Sequence, residues 1–395
     1  MTAAHHDALL RLLEAGGPAA PRRALLEAHG DPVATLEAGP RAWRLAGCDD
    51  AQVRALQATA ATPAPRERSH AWLAEAGHHL LGWHDPDYPA LLRRIPNPPL
   101  ALFVAGDPGL LWHPSVAVVG SRSPTAGGRD NARDFARAIA ATGLGIASGL
   151  AAGIDTAAHE AALAAGGITL AVLGTGIDQP YPRANAGLYA RIAETGAVAS
   201  EYPPGTGVQR GHFPARNRII AGLSLGVLVV EAAERSGALI TARLASEAGR
   251  DVFAVPGSIH NPMARGCHRL IREGAGLVEA ASEVTAAVAP LAAELGDALR
   301  RRLGAPIQGV GTAPPDAPAA DRLDDPDYNR LWQALGHDPT GMDRLVERTG
   351  LTTAELSSML LLMELEGRVC VEHGRYARKR HDTAITAPPG AGRGK

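Results

Sequence analysis

The stretch SVAVVGSRSPTAGG, residues 115–128, decides the fold. Four consecutive apolar residues, Val116–Val119, run into Gly120-Ser121-Arg122, and a helical stretch follows. The pattern then recurs. Apolar runs at Leu144–Ala147, Thr169–Leu173, Ala197–Ser200, Val227–Val230 and Val252–Val255 each lie between turns rich in Gly, Ser or Pro, with Ala-rich stretches separating them. Uninterrupted apolar strands are those buried on both faces, and their alternation with helices is the mark of a parallel α/β sheet. The segment 115–290 is long enough for six βα units.

Outward from this core the texture changes. Residues 1–62 read as a small domain of short helices, jointed at Gly16-Gly17-Pro18, Gly30-Asp31-Pro32 and Gly39-Pro40. A helix-hairpin-helix module touching DNA backbone would fit it, but its basic residues are scattered, which favours a packing or partner role. Residues 63–114 are dense in Pro and aromatics and read as a linker and irregular covering segment. Residues 304–326 lack apolar periodicity and read as a disordered linker. Over 327–382, two helices, a turn, a third helix at 354–366 and a hairpin (Val369–Glu372, Arg375–Arg378) spell a winged helix. Residues 324–386 hold eleven acidic against eight basic residues. DNA binding by the winged helix therefore does not follow, and a protein-contact role fits equally. Residues 383–395 read as a disordered tail.

The whole chain has 395 residues and a net charge of −2, so no overall basic footprint advertises a nucleic-acid partner. Of its 39 basic residues only Lys379 and Lys395 are lysines. Coding bias explains most of that excess of arginine, but guanidinium groups also suit bidentate phosphate contact. Cys48, Cys267 and Cys370 form no CxxC pair, which disfavours a disulfide framework or a cysteine zinc site. The first residues lack a basic region followed by a long apolar one, and no run approaches a membrane span, so a cytoplasmic protein is expected.

Ligands of parallel sheets gather beyond the carboxyl ends of the strands. The turns there are Gly120-Ser121-Arg122, Ser148-Gly149-Leu150-Ala151-Ala152-Gly153, Gly174-Thr175-Gly176, Ser200–Gly205, Glu231–Gly237 and Pro256-Gly257-Ser258. Nearly all pair Gly with Ser or Thr, which lets backbone amides and hydroxyls approach phosphate oxygens. Any one such turn is also what ends a strand; it is the repetition that points to an anion-binding rim. GxGxxG is incomplete and GxxxxGK[ST] is absent, which disfavours dinucleotide and P-loop binding. Asp155 and His159 lie four apart on a helix; without a nucleophile or metal-ligand spacing we read them as a helix-start charge and a packed histidine. Glu201 and Glu231 each end a strand, where a carboxylate could serve as a base. Arg216 and Arg218 flank Asn217 at a helix start behind Pro214 and read as phosphate contacts, the alternative being surface arginines packed by their stems.

Taken together, VAVVGSR (116–122), SGLAAGID (148–155) with Ala158-His159, AVLGTGID (171–178) with Tyr181-Pro182, SEYPPGT (200–206), FPARNRIIAGLS (213–224), VVEAAERSGALITA (229–242) and VFAVPGS (252–258) resemble the DNA processing protein A (DprA, or Smf) family in order and spacing. The resemblance implies a Rossmann-like core that binds single-stranded DNA without sequence preference. It also implies a homodimer that loads the recombinase RecA onto incoming DNA in natural transformation, with single-strand binding protein as a further partner. It implies no catalysis, cofactor, metal or membrane. Carried over, Gly120, Ser121 and Arg122 form a first phosphate socket with Ser148 and Gly149 beside it; Arg216, Asn217 and Arg218 line the groove opposite Ser236 and Gly237. The family often has a basic residue shortly after Asn185, where this chain has Ala186 and Gly187; Arg183 or Arg191 is the substitute. Dimer and RecA contacts are expected near 266–284. The competing reading is a phosphoribohydrolase-type nucleotide enzyme, whose PGGxGTxxE pattern is missing here. A transcription factor acting through the winged helix is a third, opposed by that domain's acidity.

Overall fold

The computed structural model describes residues 2–58, 64–302, 326–335, 340–351, 356, 359–360, 363, 369–372 and 375–378. Of the linker expected at 304–326, all but Pro326, which begins a helix, lies outside them, as does the tail expected at 383–395. The chain forms two compact units, Met1–Ile307 and Gln308–Lys395.

In the first unit, helices α1 (Ala3–Glu14), α2 (Ala20–His29), α3 (Pro32–Glu37), α4 (Gly39–Leu45), α5 (Asp50–Gln57) and α6 (Ala64–Leu73) precede β1 (His78–Gly82), α7 (Ala90–Arg93) and β2 (Ala101–Gly106). The α/β core follows: β3 (Ser115–Val119), α8 (Ala126–Ala141), β4 (Gly145–Ser148), α9 (Ile154–Ala164), β5 (Thr169–Gly176), α10 (Ala186–Thr195), β6 (Ala197–Tyr202), α11 (His212–Leu223), β7 (Gly226–Val229), α12 (Gly237–Glu247), β8 (Asp251–Ala254), α13 (Arg265–Arg272), β9 (Gly276–Leu277) and α14 (Ala281–Arg302). The sheet order is β1-β2-β6-β5-β4-β3-β7-β8-β9. Strands β3 to β9 are parallel, and β2 and β1 add antiparallel at the β6 edge. The six expected strands appear with every end within three residues of the expected one. Their central residues are apolar because both faces are covered. Helices α8, α9 and α14 lie on one face, where Ala132, Ala136, Ala158 and Ala162 let α8 and α9 approach closely. Helices α11, α12 and α13 cover the other.

Two parts differ from the sequence reading. Residues 63–114 are more than a covering segment, since β1 and β2 extend the sheet: Phe103 pairs with Ser200 and Ala105 with Val198. Their runs, HHLLG and ALFVAG, are short and the surrounding prolines mask them. Residues 1–62 do not stand apart as a domain either. Leu9, Leu12, Leu26 and Leu56 share one core with Phe103, Leu173 and Val198 of the sheet. Burying that apolar surface is worth about 2 kcal/mol per large side chain, which ties the helices to the sheet.

In the second unit, α15 (Pro326–Ala334) and α16 (Met342–Thr349) pack Leu331, Leu335 and Leu345 with Leu356, Met359, Leu360 and Met363. Strands β10 (Thr340–Gly341), β11 (Val369–Glu372) and β12 (Arg375–Arg378) form a sheet in the order β10-β12-β11, completing the winged helix. Among the described residues no helix is long and apolar enough to cross a membrane.

Candidate nucleic-acid interface

Chain order along the parallel strands reverses between β3 and β7, the place where two successive crossovers leave in opposite directions and open a crevice. A cleft of about 760 Å³ lies at this point. Gly120, Ser121 and Arg122 line it from the turn after β3, Arg235, Ser236 and Gly237 from the turn after β7, and Phe213, Arg216 and Asn217 from the start of α11. Of the residues expected in these three segments, Gly120, Ser121, Arg122, Arg216, Asn217, Ser236 and Gly237 line the cleft and Arg218 does not.

The floor is a braced loop. Gly149 and Ala151 amides donate to Asp155 Oδ2 at 3.1 and 3.3 Å. Asn185 Nδ2 donates to the Leu150 carbonyl at 2.9 Å and to Thr156 Oγ1 at 2.9 Å. Leu150 is fully buried yet has φ +55°, a left-handed conformation that a branched side chain adopts only when its surroundings impose it. Gly153, at φ +88°, brings this loop against the first turn, where the Ile154 amide donates to the Ser121 carbonyl at 3.1 Å. Ser148 is wholly buried and its hydroxyl donates to the Val118 carbonyl at 2.7 Å, so it ties β4 to β3 and does not face the cleft.

Arg216 lines the cleft from beneath, with its guanidinium turned to the protein. It is only 4% exposed; its Nη1 donates to the Gly149 carbonyl at 2.6 Å and to the Val172 carbonyl. Burial lowers its pKa to about 10, against the pull of Asp155, and burial raises the Asp155 carboxyl while Arg216 opposes the rise. A buried cation bound mainly to carbonyls braces the loop from below. Asn217 is also buried and donates to the Gly237 carbonyl at 3.3 Å, holding the turn after β7. Arg218 is committed to Glu201, 2.6 Å away.

The exposed cationic rim is Arg122, Arg210 and Arg235, none of which has a salt bridge among the described residues. Arg210 and Arg235 were not singled out in the sequence, because only the fold brings the loops after β6 and β7 to one cleft. Arg122 lies 5.3 Å from the centroid of the Phe213 ring, and Tyr181 lies 5.5 Å from it on another side. Tyr181 is 42% exposed, so the three make an open aromatic and cationic edge. Tyr202 instead stacks on His212, with centroids 3.8 Å apart. Arg183, in the short turn Arg183–Asn185, is exposed but outside the lining of the cleft, and Arg191 likewise.

The carboxylates at the strand ends are engaged. Glu231 Oε2 accepts the Thr125 amide at 2.9 Å, and its Oε1 accepts the Thr125 hydroxyl at 2.7 Å and Asn261 Nδ2 at 3.2 Å. His159 is fully buried, with Nδ1 2.6 Å from Thr169 Oγ1, and burial lowers its pKa to about 3. It packs locally, the reading preferred for it in the absence of a nucleophile or metal-ligand spacing.

Comparison with known proteins places this arrangement in a family. The sequence model described as DNA recombination-mediator protein A matches residues 79–289, more than half of the chain. The chain belongs to the DNA recombination-mediator protein A family. A second model, the DprA winged helix domain, matches residues 312–375. Within the family, the chain is 40% identical over 318 residues to Protein Smf of a Synechocystis strain, covering 75% of this chain and 79% of that one. It is 52% identical over 202 residues to DNA processing protein DprA of Streptococcus pneumoniae, covering 51% of this chain and 71% of that one. The X-ray structure of DprA from the same organism superposes with a TM-score of 0.63 at 40% identity, over 71% of this chain and 97% of that one. Of the strings that carried the resemblance to DprA, VAVVGSR, SGLAAGID, FPARNRIIAGLS and VVEAAERSGALITA supply residues that line the cleft, with Tyr181.

Proposed function

We propose that this chain binds single-stranded DNA without sequence preference, its backbone crossing the β3/β7 cleft. One observation carries the reading. The cleft joins a rim of three exposed arginines (Arg122, Arg210 and Arg235), without salt bridges among the described residues, to the stacking edge of Phe213 and Tyr181. Strand-tracking proteins combine cations that follow the phosphates with aromatic faces that accept any base. Duplex DNA keeps its bases stacked inside and cannot use that edge. Backbone amides of Gly120, Arg122 and Gly237 supply further donors, while the Ser121 amide is held by the Glu231 carbonyl at 2.7 Å. Arg122 is the first phosphate contact, and Arg210 and Arg235 take the role that Arg216 and Arg218, both engaged internally, cannot.

In this reading the protein is a mediator and not an enzyme. Neither Glu201 nor Glu231 is free to act as a base, which counts against nucleotide hydrolysis. The bound strand would be passed to RecA during processing of incoming DNA, with a second copy of the chain and single-strand binding protein as further partners. The surface for the second copy or for RecA is the β9 edge, within 266–284, where Leu277 is half exposed on an edge strand with open backbone groups. Titration of labelled oligo-dT and of duplex DNA across a salt series tests the core of the proposal. Binding should favour the single strand and weaken steeply with salt. Preference for duplex, or indifference to salt, would overturn it.

A further inference from the structure

We propose that Glu231 is a resident anion that closes the phosphate socket of this fold. In doubly wound sheets the helix after the first strand points its amino end at the switch point, and a nucleotide's phosphate sits on that end. The corresponding helix is α8. Its first turn, Ala126-Gly127-Gly128, is built for close approach, as in a nucleotide site. The approach is made by the protein's own carboxylate. Glu231 accepts the Thr125 amide and hydroxyl, while the hydroxyl in turn accepts the Gly128 amide at 3.0 Å. A Cβ at Gly128 would run into the Glu231 carboxyl group, so glycine is required there by Glu231 itself. Asn261, from the loop before α13, donates to Oε1 and completes the cradle.

The donors on Glu231 are those a phosphate would use: a helix-start amide, a hydroxyl and a side-chain amide. Glu231 is 6% exposed, so an incoming phosphate would have to displace it, against both lost hydrogen bonds and like charge. Glu231 thus denies a phosphate the start of α8 beside the β3/β7 cleft, whose own lining is left to a ligand held from the exposed arginine rim. The inference concerns small phosphates and stands whether or not the chain binds DNA.

The test is a gain of binding by the full chain. Inorganic phosphate is titrated calorimetrically into wild type, Glu231→Ala and Glu231→Ser, and melting temperatures are read with phosphate and with chloride at equal ionic strength. Serine keeps an acceptor for the Thr125 amide should alanine fail to fold. A folded variant is expected to bind phosphate at least about tenfold more tightly than wild type, the scale of removing a unit like charge at contact distance, and to be stabilised by phosphate alone. If neither variant folds in chloride, refolding in phosphate supports the inference, and equal failure in both buffers overturns it. A folded variant that binds phosphate no better than wild type also overturns it. Oligo-dT binding by the wild type is a separate measurement, so failure of the DNA reading would be seen independently.

Discussion

Arg216 Nη1 donates to the carbonyl of Gly149 at 2.6 Å, joining the start of α11 to the loop after β4 beneath the cleft floor. The two residues are 67 apart in sequence. An arginine that stands in a basic-looking string is therefore a brace, and the arginines left exposed above it are Arg122, Arg210 and Arg235.

This division predicts two kinds of arginine variant. Arg122→Ala should weaken oligo-dT binding and lower the slope of log affinity against log salt by about 0.7, the share of one phosphate contact on a single strand. Arg216→Met should weaken binding without changing the slope, because no phosphate contact is lost, and should lower the melting temperature as well. Fluorescence anisotropy over a salt series, with thermal melts, measures both; a slope change for Arg216→Met equal to that of Arg122→Ala would make Arg216 a direct contact.

Gly149→Ala should be destabilising. A Cβ there would press on the Arg216 guanidinium, itself held by two carbonyls. Overpacking of this kind costs about 1–3 kcal/mol, read by chemical denaturation. Gly143→Ala is a weak control for crowding: it meets nothing within 4 Å, although its φ of +85° carries its own strain.

Phe213→Ala should reduce affinity for oligo-dT by about 1–3 kcal/mol, the scale of one base stacked on an aromatic ring, at unchanged salt slope. Phe213→Tyr should restore most of it. Equal binding by wild type and Phe213→Ala would remove stacking from the proposal.

Stability should fall with acid through His159. Its folded pKa, about 3, lies below the ordinary 6.5, so between these values the unfolded chain takes up a proton that the folded chain refuses. The contribution is fully present above pH 6.5 and is lost as pH falls towards 3, by up to about 1.4 kcal/mol per pH unit. Denaturation midpoints of wild type and His159→Gln between pH 7 and pH 4 check this. The variant should show the shallower decline, even if it is less stable at pH 7.

Much of the fold was legible because parallel strands buried on both faces have no polar side to confuse the pattern, as at Val116–Val119 and Thr169–Leu173. Strands β1 and β2 were not, since HHLLG and ALFVAG are short and set among prolines; their pairing with β6 is a long-range choice. Gly120, Ser121, Arg122, Ser236 and Gly237 lie along one cleft because turns at the ends of neighbouring parallel strands share one rim. Ser148, Arg216, Asn217 and Arg218 were read as facing a ligand; Ser148 and Arg218 lie outside the lining of the cleft, and Arg216 and Asn217 line it with polar groups bonded inside the protein. A residue type declares what it can bond, but burial selects the partner.

The sequence by itself determined the α/β core, the winged helix and the rim on which a ligand would sit, since these follow from periodicity and from the rule that joins strand ends to one edge. Only the tertiary structure decided which charges remain available. Arg216 settles on two carbonyls, Arg218 on Glu201 and Glu231 on the start of α8, because an ionic group removed from water must find its partners inside the protein. Arg122, Arg210 and Arg235 stay at the surface with their guanidinium groups open to solvent and to phosphate.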